Sequence, residues 1–488
     1  PFVNAAFLIP KSRSNQSNPN NVLSTSFTSA LQQNGVKLEY DSNRSLVDSR
    51  YDDFAPRFGF AYQVTNKLVV RGGYGISYNG LEGVGFGPAL GEAYPWQYTV
   101  GYSNTSNQTP IVFPNGENAT FETAYSNLSL APTSVPGSGV GLLGIEENPK
   151  TAYVESTNFT AEYQLTPHTS LQVGYVGSFA RHLVSLTGDA NTVHELLIPS
   201  ANITPFLEYP GLAPGGSIQE SWGNMGYNGL QTTFQRQFSS GLSLLADYTW
   251  SKCRTDADDQ LNGTSIGYRA PGLGPTIDYG LCDSDVRNVF HFSGEYALPF
   301  GTGKRFLRNS RGAVNQIVGG WQMNTILTLE DGQPITIPCD ITTDSGMGCD
   351  ALMVPGQNPI GGQHDVNQWM NPAAFTNPPV VTANGQTNLA PLGGADSQIV
   401  GPGFHRLDVS LFKEFQTTER THLEFRAEFF NITNTPQFST PLGPTGGTAV
   451  VSAPGALDFR SSDFGRITAT RDTPNDPRII QFALKFYW

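Results

Sequence analysis

From residue 54 to the end, the chain repeatedly alternates apolar and polar residues with a period of two. The last instance is the clearest. Ile480, Phe482, Leu484, Phe486 and Trp488 share one side of an extended segment over 478–488, while Gln481, Ala483, Lys485 and Tyr487 share the other. A period of two belongs to a β-strand whose two faces meet different surroundings. The same alternation predicts strands over 54–64 and 67–78, 153–165 and 170–181, 227–238 and 242–250, 289–298 and 321–329, and 407–415 and 423–430. Turns are short at Thr65-Asn66, Thr166-Pro167-His168-Thr169, Ser239-Ser240-Gly241 and 416–420, whereas the 299–320 connection is longer. About eleven strands result, most near the roughly ten residues that cross a bilayer at a tilt of about 45°.

Long segments separate the pairs, at 80–150, 183–222, 253–285, 331–403 and 436–476, all rich in Gly, Pro, Asn, Asp, Ser and Thr. Short turns on one side and long loops on the other is the arrangement of an outer-membrane barrel, with the short turns periplasmic. Structureless loops of such length would be foreign to a compact soluble domain. With residues 1–52 read as one more loop on the long side, an odd number of strands ends on the short-turn side. The expected fold class is all-β, an antiparallel transmembrane β-barrel. Because bacterial barrels have an even strand number, the eleven strands form part of one.

The two faces then take different roles. Ile480, Phe482, Leu484, Phe486 and Trp488 are expected to meet lipid and to form the C-terminal strand presented to the barrel assembly machinery. Arg57, Arg71, Gln231, Gln235, Glu424, Arg426 and Glu428 are expected on the lumen side. Two cations sit among apolar neighbours, Lys413 and Arg236; both lie near a short turn, from which they are expected to snorkel to the headgroups.

Composition agrees. Charged residues make up 14% of the 488, with 53 Gly, 19 Tyr and 30 Phe; soluble chains carry about 25% charge. The net charge of −13 excludes nucleic acid as the main partner. No apolar run is long enough for a transmembrane helix, as expected where strands cross instead. The chain opens at Pro1 without a basic and apolar leader. An outer-membrane protein needs one, so the chain reads as the C-terminal part of a longer protein.

The four cysteines, Cys253, Cys282, Cys339 and Cys349, lack zinc-ligand spacing and lie in Asp- and Gly-rich loops. They are expected to pair 253 with 282 and 339 with 349 in an oxidising compartment. Asp256, Asp258, Asp259, Asp283 and Asp285 could gather oxygen ligands for Ca²⁺ in an extracellular loop, against the plainer reading of a solvated acidic loop. No other cofactor is expected. Gly139-Val-Gly-Leu-Leu-Gly144 and Gly263-Thr-Ser-Ile-Gly267 match nucleotide-binding and hydrolase strings, but neither has the strand–turn–helix context its chemistry needs. The histidines are scattered, and the chain reads as no enzyme. Tyr94, Trp96, Tyr98, Tyr102 and Phe113 in the first long loop suit packing over a barrel mouth or contact with a ligand.

Several motifs carry a resemblance. They are Asp53-Phe-Ala-Pro-Arg-Phe-Gly-Phe-Ala-Tyr62, Val70-Arg-Gly-Gly-Tyr-Gly-Ile-Ser-Tyr78, Ala246-Asp-Tyr-Thr-Trp-Ser-Lys252 and Leu298-Pro-Phe-Gly301. Gly319-Gly-Trp-Gln322, Asp331-Gly-Gln-Pro334, Phe425-Arg-Ala-Glu-Phe-Phe-Asn431 and Asp463-Phe-Gly-Arg-Ile467 follow. Together they resemble the Oar-like TonB-dependent receptors of Acidobacteria. The resemblance implies the C-terminal half of a barrel of roughly 22 strands, in the outer membrane of a Gram-negative bacterium. It also implies a plug and a carboxypeptidase-regulatory-like domain outside this chain, TonB as the energy-supplying partner, and an unidentified transported ligand. Two other readings stand beside it: a surface adhesin or structural barrel without transport, and a soluble secreted β-protein.

Overall fold

The computed structural model describes residues 6–15, 17, 22–44, 46, 48–79, 94–95, 118, 140, 143–145, 148–191, 209–213, 215–256 and 279–337. It further describes residues 351–360, 365–377, 380–383, 386–389, 399–418, 420–441, 458–471 and 477–488.

Eleven long strands run through these residues. They are β1 Arg57–Thr65, β2 Leu68–Asn79, β3 Ala152–Thr166, β4 Thr169–Asn191, β5 Gly215–Ser239 and β6 Leu242–Thr255. They continue as β7 Asn288–Ala297, β8 Trp321–Glu330, β9 Phe404–Gln416, β10 His422–Phe430 and β11 Ile479–Tyr487. Their order in the sheet is their order in the sequence, and every pair is antiparallel. Each strand expected from the alternation has its counterpart. Among the described residues, β1 and β11 each have a neighbour on one side only.

The register places one apolar face across the whole sheet. It can be followed from Phe60 to Gly72, Phe159, Tyr175, Leu230, Trp250 and Asn288, each opposite the next. Two rows nearer the short turns it runs through Phe292, Leu327, Leu407 and on towards Phe429 and Ile480. The side chains of this face are open to the surroundings: Phe58 is 67% exposed and Phe482 66%. A soluble sheet would bury such a face; a sheet in lipid presents it outward.

The short turns are tight. Thr65 Oγ1 accepts hydrogen bonds from the backbone N–H groups of Lys67 and Leu68, at 3.2 and 3.1 Å. Thr166 Oγ1 does the same for His168. Ser240 and Gly241 both have positive φ, the conformation that joins two strands with a matching twist.

Four features differ from the sequence expectation. First, β4 and β5 run well past the expected ends at 181 and 227, and pair up to Asn191 and Gly215 inside the segment 183–222. The sequence there, with Gly188 in one arm and Gly215, Gly216, Gly223 and Gly226 in the other, keeps no sustained alternation to mark it. Second, the first strand begins at Arg57 rather than 54, since Pro56 has no N–H to give to a ladder.

Third, residues 6–44 are not a loop. Parallel strands Ala6–Pro10 and Lys37–Asp41 flank helix α1, Thr25–Gln33. Ser24 caps the helix by accepting from Phe27 N–H. It ends at Gly35, φ +72°, with Val36 N–H donating to Leu31 O and Gly35 N–H to Gln32 O, the paired bonds of a Schellman motif. Phe27, Ala30 and Leu31 bury one face of the helix in a small core with Ile9, Tyr94, Val140 and Leu212. Tyr94 therefore packs, its ring 4.8 Å from that of Phe27; Trp96, Tyr98, Tyr102 and Phe113 lie outside the described residues. A second small core, of Ile335, Ile337, Met370, Phe375, Ile399 and Phe464, joins the segments before β9 to the one before β11. Both cores sit at the long-loop end.

Fourth, the 299–320 connection at the short-turn end contains helix α2, Gly312–Val318. Lys413 does not snorkel. It is 2% exposed, donates from Nζ to the carbonyls of Ile317 and Gly319, and lies over the rings of Trp321 and Phe415.

Candidate functional site

The polar face of the sheet carries most of the chemistry. Period two places Arg57, Arg71, Gln231, Gln235, Glu424, Arg426 and Glu428 together on it, alternating with the apolar row. Their partners are mostly cross-strand. Arg57 donates to Ser77 Oγ at 2.9 Å. Arg71 pairs with Glu162 and reaches Gln172 Oε1 at 3.5 Å, tying β2 to β3 and β4. Arg426 pairs with Glu424 and lies 5.0 Å over the Phe412 ring. Glu424 stands opposite Lys485 and accepts from Tyr487 Oη at 3.5 Å.

Further members of this face were not singled out from the sequence, although the same period marks them. Thr233 donates to Asp247 at 2.7 Å. His291 Nε2 lies 3.8 Å from Glu330, which also faces Arg471 at 3.6 Å. Arg406 binds Asp408 at 3.0 Å. Acids and bases therefore stand side by side along the sheet. At the short-turn end of β1–β5 a polar depression of about 310 Å³ is lined by Asn66, Lys67, Glu162, His168 and Gln235 among others.

The long-loop end is held by specific clamps. Cys253 and Cys282 form a disulfide with Cα atoms 5.4 Å apart, as expected; Cys339 and Cys349 lie outside the described residues. Asp285 accepts from Cys253 N–H at 2.6 Å and Asp256 accepts from Asn224 N–H and Nδ2. These two carboxylates thus fix the base of the loop. Asp258 and Asp259 lie outside the described residues. Among the described residues no three His, Cys, Asp or Glu side chains converge for a metal ion.

The motifs after β10 are also structural. Asn431, buried with φ +47°, accepts from Thr435 N–H and donates to Thr435 O, and its own N–H donates to Asp408 Oδ1 at 2.7 Å. Gln437 bonds both backbone groups of His405, and Asn434 Oδ1 accepts from Arg478 N–H at the entry to β11. Phe464 is buried, and Gly465, φ +74°, brings its Cα so close to Met370 N that a side chain would overlap it. In Asp331-Gly-Gln-Pro334, Gly332 lies against the Gly401 carbonyl in the same way.

The chain matches the family model described as outer membrane beta barrel domain over residues 8–481. No curated protein matches it. Among solved structures it is similar to the outer membrane transporter YddB from Escherichia coli, at 10% identity and a TM-score of 0.38, over 78% of this chain and 37% of that one. It is similar to the FrpB iron transporter from Neisseria meningitidis at 11% identity and 0.36, over 89% and 39%. The ferripyoverdine receptor of Pseudomonas aeruginosa gives 7% and 0.38, over 89% and 32%. The chain thus spans well under half the length of these proteins, and at such scores the likeness adds nothing to the family match.

Proposed function

The chain belongs to the outer-membrane β-barrel domain family, and from that premise we propose that it forms part of the barrel of an Oar-like TonB-dependent receptor. The observation that carries this reading is the single apolar face that continues across eleven strands with a charged, hydrogen-bonded face behind it. In a closed barrel that second face lines the lumen. The one-sided edges of β1 and β11 would leave backbone N–H and C=O groups unpaired in lipid, which no stable spanning structure tolerates. Further strands of the receptor therefore close the barrel.

In this reading ligand is captured at the long-loop end, where the two small cores and the disulfide give the loops fixed shapes. TonB, acting through a plug, opens a path past the alternating Arg71, Glu162, Glu424 and Arg426. A mixed-charge lining suits a polar or zwitterionic solute better than a strongly charged one, since neither sign meets a uniform field. The C-terminal strand, with its outward Phe482, Leu484, Phe486 and Trp488, is the part presented to the barrel assembly machinery. Bound Ca²⁺ at the 253–282 loop is not part of the proposal.

The test compares three strains grown in the same medium: wild type, one lacking this protein, and one lacking TonB. A solute depleted by wild type and spared by both mutants identifies the cargo. If neither the medium nor the secreted proteins differ, transport is wrong. Loss of surface attachment in the first mutant alone would then favour an adhesin.

A further inference from the structure

The connection between β7 and β8 is the one short-side link that is more than a turn, and its residues are unlike the rest of the chain. Across 298–320 there is no Asp or Glu, yet Lys304, Arg305, Arg308 and Arg311 fall within eight residues of a chain whose net charge is −13. All four are exposed, and none forms an ion pair among the described residues. Beside them Phe306, Leu307, Val314 and Ile317 are exposed too, Ile317 at 70%.

The element is held together by its own contacts. Asn315 Oδ1 accepts from Thr302 N–H at 2.8 Å and from Ser310 Oγ at 3.2 Å, drawing both arms of the connection onto α2. Gly301, φ +109°, passes so close to Gly319 that a Cβ would overlap its Cα. The position is fixed as well. Lys413, on the apolar face of β9, donates to the carbonyls at the end of α2, and Trp321 Nε1 donates to Ile317 O at 2.9 Å. The connection is thus pinned to the lipid side of the sheet at the short-turn rim, not to the polar side.

We propose that residues 298–320 form an interfacial anchor that binds anionic phospholipid of the inner leaflet. Its apolar residues enter the headgroup–acyl boundary, and its four cations take the phosphates. Charge and place select this occupant. A soluble polyanion would satisfy the cations but leave Phe306, Leu307 and Ile317 in water. Neutral lipid would cover those three and leave four cations without counter-charge. The proposal does not depend on transport, so the strain comparison above can fail without touching it.

The protein, extracted from outer membranes in mild detergent, is titrated with phosphatidylglycerol and with phosphatidylcholine, and bound lipids are counted by native mass spectrometry. The wild type is expected to prefer phosphatidylglycerol by about tenfold or more, from several cations near an anionic surface. The variant K304Q/R305Q/R308Q/R311Q loses that preference, whereas K11Q/K37Q, altered at exposed lysines of the long-loop end, keeps it. The proposal is overturned if the wild type shows no preference, which needs no variant to observe. It is equally overturned if the quadruple variant retains the preference, or if millimolar inorganic phosphate abolishes it, since the site would then read the ion and not the membrane.

Discussion

Two side chains show how much a position can hold beyond what its period announces. The alternation correctly places Lys413 on the apolar face near a short turn. It cannot show that α2 returns to offer two carbonyls, or that Trp321 and Phe415 close over the ammonium. Lys413→Met is expected to lower stability by about 2 kcal/mol, the scale of hydrogen bonds to a charged group, as read from urea unfolding in lipid vesicles. An unchanged midpoint would mean that the carbonyls find equal partners without it. Asn431 is the converse case. Its motif was legible, its duty was not, because only the backbone conformation reveals it. Asn431→Ala loses the bonds to Thr435 and strains a positive φ, for about 2–3 kcal/mol; Asn431→Gly relieves the strain and recovers part of the loss. Thermal melts of the two variants separate the contributions, and equal melts would remove the backbone argument.

Among elements, the eleven strands were readable because each has one face in lipid and one facing polar groups, and so writes a period of two. What lacked that contrast went unread. The outer parts of β4 and β5 carry no sustained alternation. Helix α1 did carry its signals, with Ser24 before it, apolar residues at 27, 30 and 31, and Asn34-Gly35 after it, but they are short against a chain dominated by strands. Helix α2 has seven residues and an exposed apolar side, which no amphipathic pattern distinguishes from loop. The Cys253–Cys282 bridge was legible from the long loop that the two cysteines flank. Reducing it releases a 29-residue separation and is expected to destabilise the loop end by about 3–4 kcal/mol. Dithiothreitol should then speed proteolysis between 257 and 278. A cleavage rate that stays the same with and without reductant would show that the bridge constrains nothing.

For the whole molecule, the polar face was legible in composition and sidedness but not in its pairings. Arg71 with Glu162 and Thr233 with Asp247 depend on which strands lie side by side and in what register, which a single strand's pattern does not contain. The free edges of β1 and β11 make a direct prediction. Refolded alone in detergent, this chain runs on unheated gels as it does after boiling, whereas the complete barrel proposed above shows a faster, heat-modifiable band. A compact, protease-resistant band from the chain alone would mean that these strands close on themselves.

The order of the sheet is simply the order of the sequence, and this decides how the molecule yields to force. No strand is locked behind a later one, so tension applied at Trp488 peels β11 first, then β10 and β9, with the rest of the sheet still in place. Each rupture of a hairpin such as 404–430 should release roughly 90 Å of chain at full extension. Pulled from a membrane by its end, the protein would come out as a staircase of such steps rather than in a single collapse.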